Sequence, residues 1–557
     1  MFIDLFNTII LSTIVTFSFL IYFAVGFVTI KILSISSSYI EKNPALLIFL
    51  GYGLLLSILS FFNFFFKLNY IFFLILFSIS LFILIYDDKI KNLLKLDNIN
   101  FFVFFILIFL ISKISMITYF NSDTGYYHIP LVKIITEQPT VFGLANIFPQ
   151  YGFNNSNNYL SALSMISPFY DRGFSVPSII IFISVMIYLF QIKNSHNDYF
   201  FWIALSAHFF YNFKNIGSIT PDFYINCFVI IIFCELFFLL KKKKDPIFLN
   251  DKIKLLLFFL SIIFYIKFST AFFCLSILLV LLFCFQKKFF SFLSTKFILV
   301  LVITSSIFFL KNITLSGYML YPIDTIFINT LWTVSSDIPK EMYNIVVNFA
   351  RQSSDHSFII RGTNWIPYWF KNNDIIFISS VFVSFAIFFI NILFKTKDFF
   401  NSEKNLLILF SFLCLSLFFW FFSAPQIRFS LMLNVFIFLI IIELNLIEVN
   451  LIKRILNYSA KPILFLIILY SVFYLNFINI YININNDSFE YKNGWRKIPK
   501  EIIKITSTNE FKNVKVISIN GKCWFSKLFC RTGSYPKLDK INIKNTNSRN
   551  MIIYRKK

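Results

Sequence analysis

The sequence predicts an all-α polytopic membrane protein of about 14 transmembrane helices, followed by a small α/β C-terminal domain. Three observations lead there. Apolar runs recur along most of the 557 positions; 58% of residues are hydrophobic, only 14% are charged, and the mean hydropathy is +0.76. A run of about twenty such residues crosses roughly 30 Å of hydrocarbon as a helix, because a helix satisfies its own backbone groups there. Lysines gather in alternate loops, as the positive-inside rule expects of cytoplasmic loops: Lys89, Lys91 and Lys95; Lys241 to Lys244 with Lys252 and Lys254; Lys287, Lys288 and Lys296; Lys395, Lys397 and Lys404; Lys453, Arg454 and Lys461. From residue 483 onward charges become dense, phenylalanine declines, and alternating runs such as VKVISI and MIIY give the period of strands.

The spans fall near 8–33, 46–64, 69–86, 100–119, 175–193, 198–213, 221–240, 254–268, 271–286, 297–315, 375–395, 405–423, 429–448 and 461–482. The run from Leu5 to Ile30 is too long for the apolar core of a signal peptide and reads as the first span. With the basic loops inside, both termini face outward, as do two long loops, 120–174 and 316–374. The organisation is therefore a membrane domain over 1–482 and a small extracytoplasmic domain over 483–557. The excess of Phe, Ile, Asn and Lys reads as the codon bias of an AT-rich bacterial genome, which makes the membrane the cytoplasmic one. The net charge of +23 follows from topology and attraction to anionic headgroups, so membrane lipids are the expected partner and nucleic acid is not.

The first long loop interrupts the apolar runs with NSDTGYYHIPLVKIITE and, at 151–158, YGFNNSNN. Hydrogen-bonding side chains at this density suit a polar ligand held at the bilayer surface, or a connector resting on headgroups. Asp123 follows a span end. If a helix begins there, Tyr127 falls at i+4 with His128 beside it, which joins a carboxylate, a phenol and an imidazole. The same pattern also suits a plain helix cap, in which the carboxylate accepts backbone N–H bonds. Lys267 closes a short span, where it meets a lipid-linked phosphate or snorkels to headgroups. Arg428, in the turn SAPQIRFS, has no acidic neighbour in sequence and is a candidate anion ligand. In the second long loop Arg351 and Arg361 are further candidates for a phosphate or sugar, Tyr321 lies in SGYMLYP, and Pro339 to Arg351 reads as an amphipathic surface helix.

Seven cysteines divide into five within apolar spans (Cys227, Cys234, Cys274, Cys284 and Cys414) and the pair Cys523 and Cys530, whose position in an outward tail suggests a disulfide. The tail has no His and no third Cys, which argues against a metal there. No P-loop, GxSxG or HExxH pattern occurs, so ATP hydrolysis and metalloprotease chemistry are not expected. No cofactor is evident. The outward carboxylates, Asp222 among them, are scattered, and a divalent metal stays open.

An acidic residue opening a long outer loop, a surface helix after it, many spans and a soluble outer tail together resemble the GT-C superfamily of integral membrane glycosyltransferases. Within that likeness DTGYYH, YGFNNSNN, KFS at Lys267, SGYMLYP at Ser316, WTV at Trp332 and PQIRF at Pro425 resemble a bacterial multi-pass family of the same kind. The resemblance implies a polyprenyl-phosphate-linked sugar as donor and a glycan, lipid or protein as acceptor. It implies Asp123 as the base, with Lys267 and Arg428 at charged positions tied to phosphate. Tyr127 and His128 would position the acceptor. Two alternatives accompany this expectation: a polysaccharide polymerase or ligase acting on polyprenyl-pyrophosphate-linked oligosaccharide, and a lipid-sugar flippase or transporter.

Overall fold

The computed structural model describes residues 2–88, 90, 98–117, 123–167, 169–170, 172–193, 198–241, 248–351, 363–372 and 403–444, and in the tail 491–492, 495–496, 504–511, 514–520, 523, 529–532, 541–545 and 551–555. The predicted spans 375–395 and 461–482, together with Arg361, lie outside the described residues.

The chain is an all-α membrane protein in its main body. Its helices run α1 Phe2–Leu33, α2 Leu46–Phe62, α3 Tyr70–Tyr86, α4 Asn98–Ile117, α5 Ile129–Glu137, α6 Asn157–Ser164, α7 Val176–Lys193, α8 Asp198–Asn212, α9 Pro221–Lys241, α10 Leu249–Ile266, α11 Ala271–Phe285, α12 Thr295–Ser316, α13 Asp337–Ala350, α14 Lys404–Ser423 and α15 Ile427–Glu443. Among the described residues six helices are long and apolar enough to cross a membrane, and shorter apolar helices accompany them. Helix starts follow local chemistry: the Asn69 side chain accepts from Ile71 N–H at α3, and Ser294 Oγ accepts from Phe297 N–H at α12.

Burial grades the helices. In α9 89% of the spanning window is inside the protein, whereas the figure for α11 is 28%. Helix α3 turns Ile71, Leu74, Ile75, Ile79, Phe82 and Ile85 outward, an apolar face that hydrocarbon suits and water does not. Helices α1 and α2 meet backbone to backbone. A Cβ on Gly26 would lie 1.9 Å from the Leu47 carbonyl oxygen and one on Gly51 1.8 Å from that of Tyr22, so only glycine permits this approach. Glu235 in α9 accepts from Tyr39 and Tyr188 hydroxyls at 2.6 and 2.7 Å, with Lys252 at 3.8 Å.

The described tail residues are strands: β1 Tyr491–Lys492, β2 Trp495–Arg496, β3 Lys504–Phe511, β4 Val514–Asn520, β5 Phe529–Thr532, β6 Ile541–Asn545 and β7 Met551–Arg555. Strand β4 pairs antiparallel with β3 and parallel with β5, while β6 and β7 form an antiparallel pair. Cys523 and Cys530 are joined as a disulfide. Among the described residues, strands β7 and β5 hydrogen-bond to the helical body. Strand β7 bonds to Phe142 (Phe142 N–H to the Met551 carbonyl, 2.8 Å; Ile553 N–H to the Phe142 carbonyl, 2.9 Å), and the Tyr151 hydroxyl donates to the Cys530 carbonyl at 2.5 Å. Gly143, at φ 71°, leaves the room: a Cβ there would sit 2.1 Å from the Ile553 carbonyl oxygen.

Candidate functional site

Three helix ends converge on one ion cluster. Helix α9 begins with Pro221, suited to a first helical position, and Asp222 follows in the first turn, where the helix dipole favours a carboxylate. Lys267 stands in extended backbone between α10 and the 3-10 turn Phe268–Thr270. Its carbonyl accepts from both the N–H and the hydroxyl of Thr270, at 3.1 and 2.9 Å, which fixes the break between α10 and α11. Arg428 opens α15 behind a turn held by two indoles: Trp369 Nε1 donates to the Pro425 carbonyl at 2.6 Å and Trp420 Nε1 to that of Gln426 at 3.0 Å.

Asp222 joins the two cations. Its Oδ1 accepts from Lys267 Nζ at 2.7 Å and its Oδ2 lies 3.3 Å from Arg428 Nε, which also donates to Gln426 Oε1 at 2.6 Å. The side chains of Asp222 and Lys267 are 12% and 24% exposed, enough to be reached yet too little for solvent to screen the pair fully. A cleft of about 80 Å³ opens from this cluster. Ser269, Thr270, Asn226, Ser416 and Ser423 add hydrogen-bonding groups to its lining, and Ile225, Val229, Phe272, Phe273, Met432 and Leu433 add apolar ones, between α9, α11, α14 and α15.

The first long loop lies against the cluster. A π-helical turn, Thr124–His128, runs into α5, so the helix expected after Asp123 is present, and Asp123 makes no capping hydrogen bond to it. Thr124 and Ser218 hydroxyls are 2.7 Å apart, which fastens this turn to the segment leading into Asp222. The Asp123 charge reaches both Tyr127 and Lys267. Burial pushes the Tyr127 phenol well above its ordinary range, with Asp123 adding to the shift. Burial pushes His128 down to about 3; the charges of Lys267 and Arg428 act in the same direction and Asp222 opposes them, so the ring is neutral at pH 7. Burial also lowers Lys267, against the pull of Asp222 and Asp123.

Asp123, Tyr127 and His128 flank the ion cluster and do not line the cleft, and the other candidates sit farther away. Tyr321, 5% exposed, packs edge-on against Phe153 at 5.7 Å, and Phe153 is 6.3 Å from Tyr127, so a row of rings ties the second long loop to the first without entering the cleft. Arg351 closes α13, donates Nη2 to the Phe422 carbonyl at 3.1 Å and lies 5.0 Å over the Trp365 ring. It holds α13 to the end of α14 beside the cleft, not within it. Among the described residues no group of three or more His, Cys, Asp or Glu side chains could hold a metal ion.

Sequence reasoning gave Asp222 no role, although it supplies the acid that Arg428 lacks nearby in the chain. The available signal was SITPDF, a proline and a carboxylate opening a span at the same predicted end as Lys267 and Arg428.

No curated protein and no solved structure matches the chain. A family model does, over residues 8–437, a stretch that contains the DTGYYH turn and all three members of the ion cluster. The chain belongs to that family, described as a domain of unknown function (DUF8201).

Proposed function

We propose that the protein is a membrane glycosyltransferase that takes a sugar from a polyprenyl-phosphate carrier at the outer face of the bacterial cytoplasmic membrane, in cell-surface glycan synthesis. The observation that carries this reading is the lining of the cleft, where two cations share one cavity with apolar side chains. An amphiphile with an anionic head and a hydrocarbon tail fits that pairing, and arginine's planar fork suits phosphate oxygens. The outward orientation is supported by where the lysines fall. Lys241, Lys296 and Lys404 each sit at the end of a helix opposite to its cleft or loop end. The strands at 491–555, with their disulfide, then form a small domain on the outer side, where disulfides persist.

In the transfer step an acceptor hydroxyl attacks the anomeric carbon, the new C–O bond forms, and the bond from that carbon to the phosphate oxygen breaks. The phosphate leaves with the electron pair and the hydroxyl proton passes to Asp123. Lys267 and Arg428 stabilise the charge on the leaving phosphate. His128 is held neutral and Tyr127 protonated, so both serve to orient the acceptor's hydroxyl groups.

The test is a sugar-transfer assay with purified protein in lipid, offering polyprenyl-monophosphate sugars to wild type and Asp123→Asn. The expected outcome is transfer by wild type and a loss of on the order of a hundredfold or more in the variant. Full activity in Asp123→Asn removes the base from this scheme. Products extended by whole oligosaccharides identify a polymerase instead, and movement of lipid-linked sugar without transfer identifies a flippase.

A further inference from the structure

The cleft is too small to enclose the whole of the ligand that its lining suits. A cavity of about 150 Å³ is what one benzene ring fills, and the cleft offers about 80 Å³. A phosphate head has room beside Lys267 and Arg428, but an isoprenoid tail must continue past the walls. Those walls differ in what lies behind them. On α9 the lining runs from Asp222 to Val229, about two turns or about 10 Å along the helix, so with Asp222 at the outer end the cleft reaches down beside hydrocarbon. Behind α9 is the protein interior, since 89% of its spanning window is inside; α11 and α14 are the opposite case, at 28% and 33%.

Helix α14 is a wall one helix thick. Its Ser416, Trp420 and Ser423 line the cleft, whereas Leu415, Phe418, Phe419 and Phe422, spaced i, i+3, i+4 and i+7, are exposed along another face. Helix α11 packs beside it, and a ring pair closes the seam between them. Phe272 of α11 lines the cleft, is 42% exposed and stacks on Phe419 of α14, with centroids 4.7 Å apart and planes 7° from parallel. Phe419 does not line the cleft and is 37% exposed, so the pair has the cleft on one side and the bilayer on the other. Such a closure is soft, because each ring turns aside by a side-chain rotation that leaves the helix backbones in place. We propose that the tail of the lipid phosphate passes between α11 and α14, with Phe272 and Phe419 parting around it, so that this seam is the portal between the cleft and the outer leaflet. The portal rests on the lipid-phosphate reading above and gives that lipid's tail a path.

The experiment uses the full-length protein in lipid nanodiscs, with farnesyl phosphate that carries a diazirine on its terminal isoprene unit. After irradiation the labelled positions are mapped by peptide mass spectrometry, with and without an excess of plain farnesyl phosphate. Labelling that the competitor removes is expected on the outward faces of α11 and α14, at positions such as Leu275, Leu415 and Phe418. Competed labelling that spares both helices overturns the portal while the phosphate site stands. If the competitor removes no labelling anywhere, the lipid-phosphate reading itself fails and the portal falls with it. A second measurement follows the rate at which bound, labelled farnesyl phosphate exchanges with the plain ester. Phe419→Ala removes one ring of the closure without touching the lining of the cleft, and it should speed exchange several-fold. A rate that stays the same or falls overturns the portal.

Discussion

Lys267 and Lys311 are two lysines near the same end of the bundle, and the protein surrounds them in opposite ways. Lys267 faces a cleft, pairs with Asp222 and stands close to a second cation, Arg428. Lys311 is fully enclosed in α12, five residues from its end. It donates to Asn63 Oδ1 and Thr140 Oγ1 and lies 4.1 Å over the Phe64 ring and 5.2 Å over that of Tyr159. Thr140 in turn bonds the Asn63 carbonyl through its N–H at 2.7 Å and its hydroxyl at 3.0 Å. The Nζ of Lys311 thus fastens the end of α2 and the segment after α5 to α12 through neutral acceptors. An enclosed amine with neutral partners has no carboxylate to exchange for a ligand, so it serves the structure. A charge balanced by a carboxylate at an open cleft can change partners, so it can serve a ligand.

The largest effect is expected where the enclosed contact is cut. Lys311→Ala removes the stem and both hydrogen bonds, and thermal unfolding in detergent should show a loss of about 3 kcal/mol. Lys311→Met keeps most of the stem, and Thr140 can still bond Asn63, so it should lose clearly less. If Met is as damaging as Ala, the charge itself matters and the contrast with Lys267 is weaker than drawn.

Next comes the open cation. Lys267→Met should weaken farnesyl phosphate binding on the order of tenfold while changing stability by less than about 1 kcal/mol, since Asp222 keeps Arg428 as a partner. A melting loss as large as that of Lys311→Ala would show that Lys267 is structural too.

The last effect appears only in acid and concerns His128, which is buried beside the cluster and neutral at pH 7. Its folded pKa of about 3 lies below the free value of 6.5, so the stability it contributes is whole above pH 6.5 and is lost as the pH falls towards 3, because the unfolded chain takes up a proton that the buried ring does not. His128→Gln should flatten the fall in melting temperature between pH 6.5 and 4. An unchanged slope would assign the acid sensitivity to other groups.

These cases also mark what can be read from the chain before it folds. Helix positions were legible, because apolar run length is a local property: α9 and α14 begin and end within one residue of their predicted limits. Lys267 and Arg428 could be singled out because each interrupts apolar sequence. Their pairing with Asp222 could not, since it depends on the packing of α9, α10 and α15, and Arg428 looked as though it had no acid. Lys311 went unnoticed for the complementary reason: in FFLKNITLS it looks like any lysine near a helix end, and its enclosure comes from Asn63, Phe64, Thr140 and Tyr159, all far upstream. Arg351 was weighed as an anion ligand because its sequence does not reveal Trp365 beneath it.

The bond from Asn146 Nδ2 to the Ile553 carbonyl, 3.2 Å long, spans 407 residues of chain. At ordinary rates of synthesis of 5–20 residues per second, roughly 20–80 s pass between the emergence of its two ends. Through that interval the loop that carries Asp123 exists without the strand that bonds Phe142. Only in the last part of that interval, after Glu443 and before Ile553, are the described helices all made while the loop that carries Asp123 still lacks the strand that closes on it.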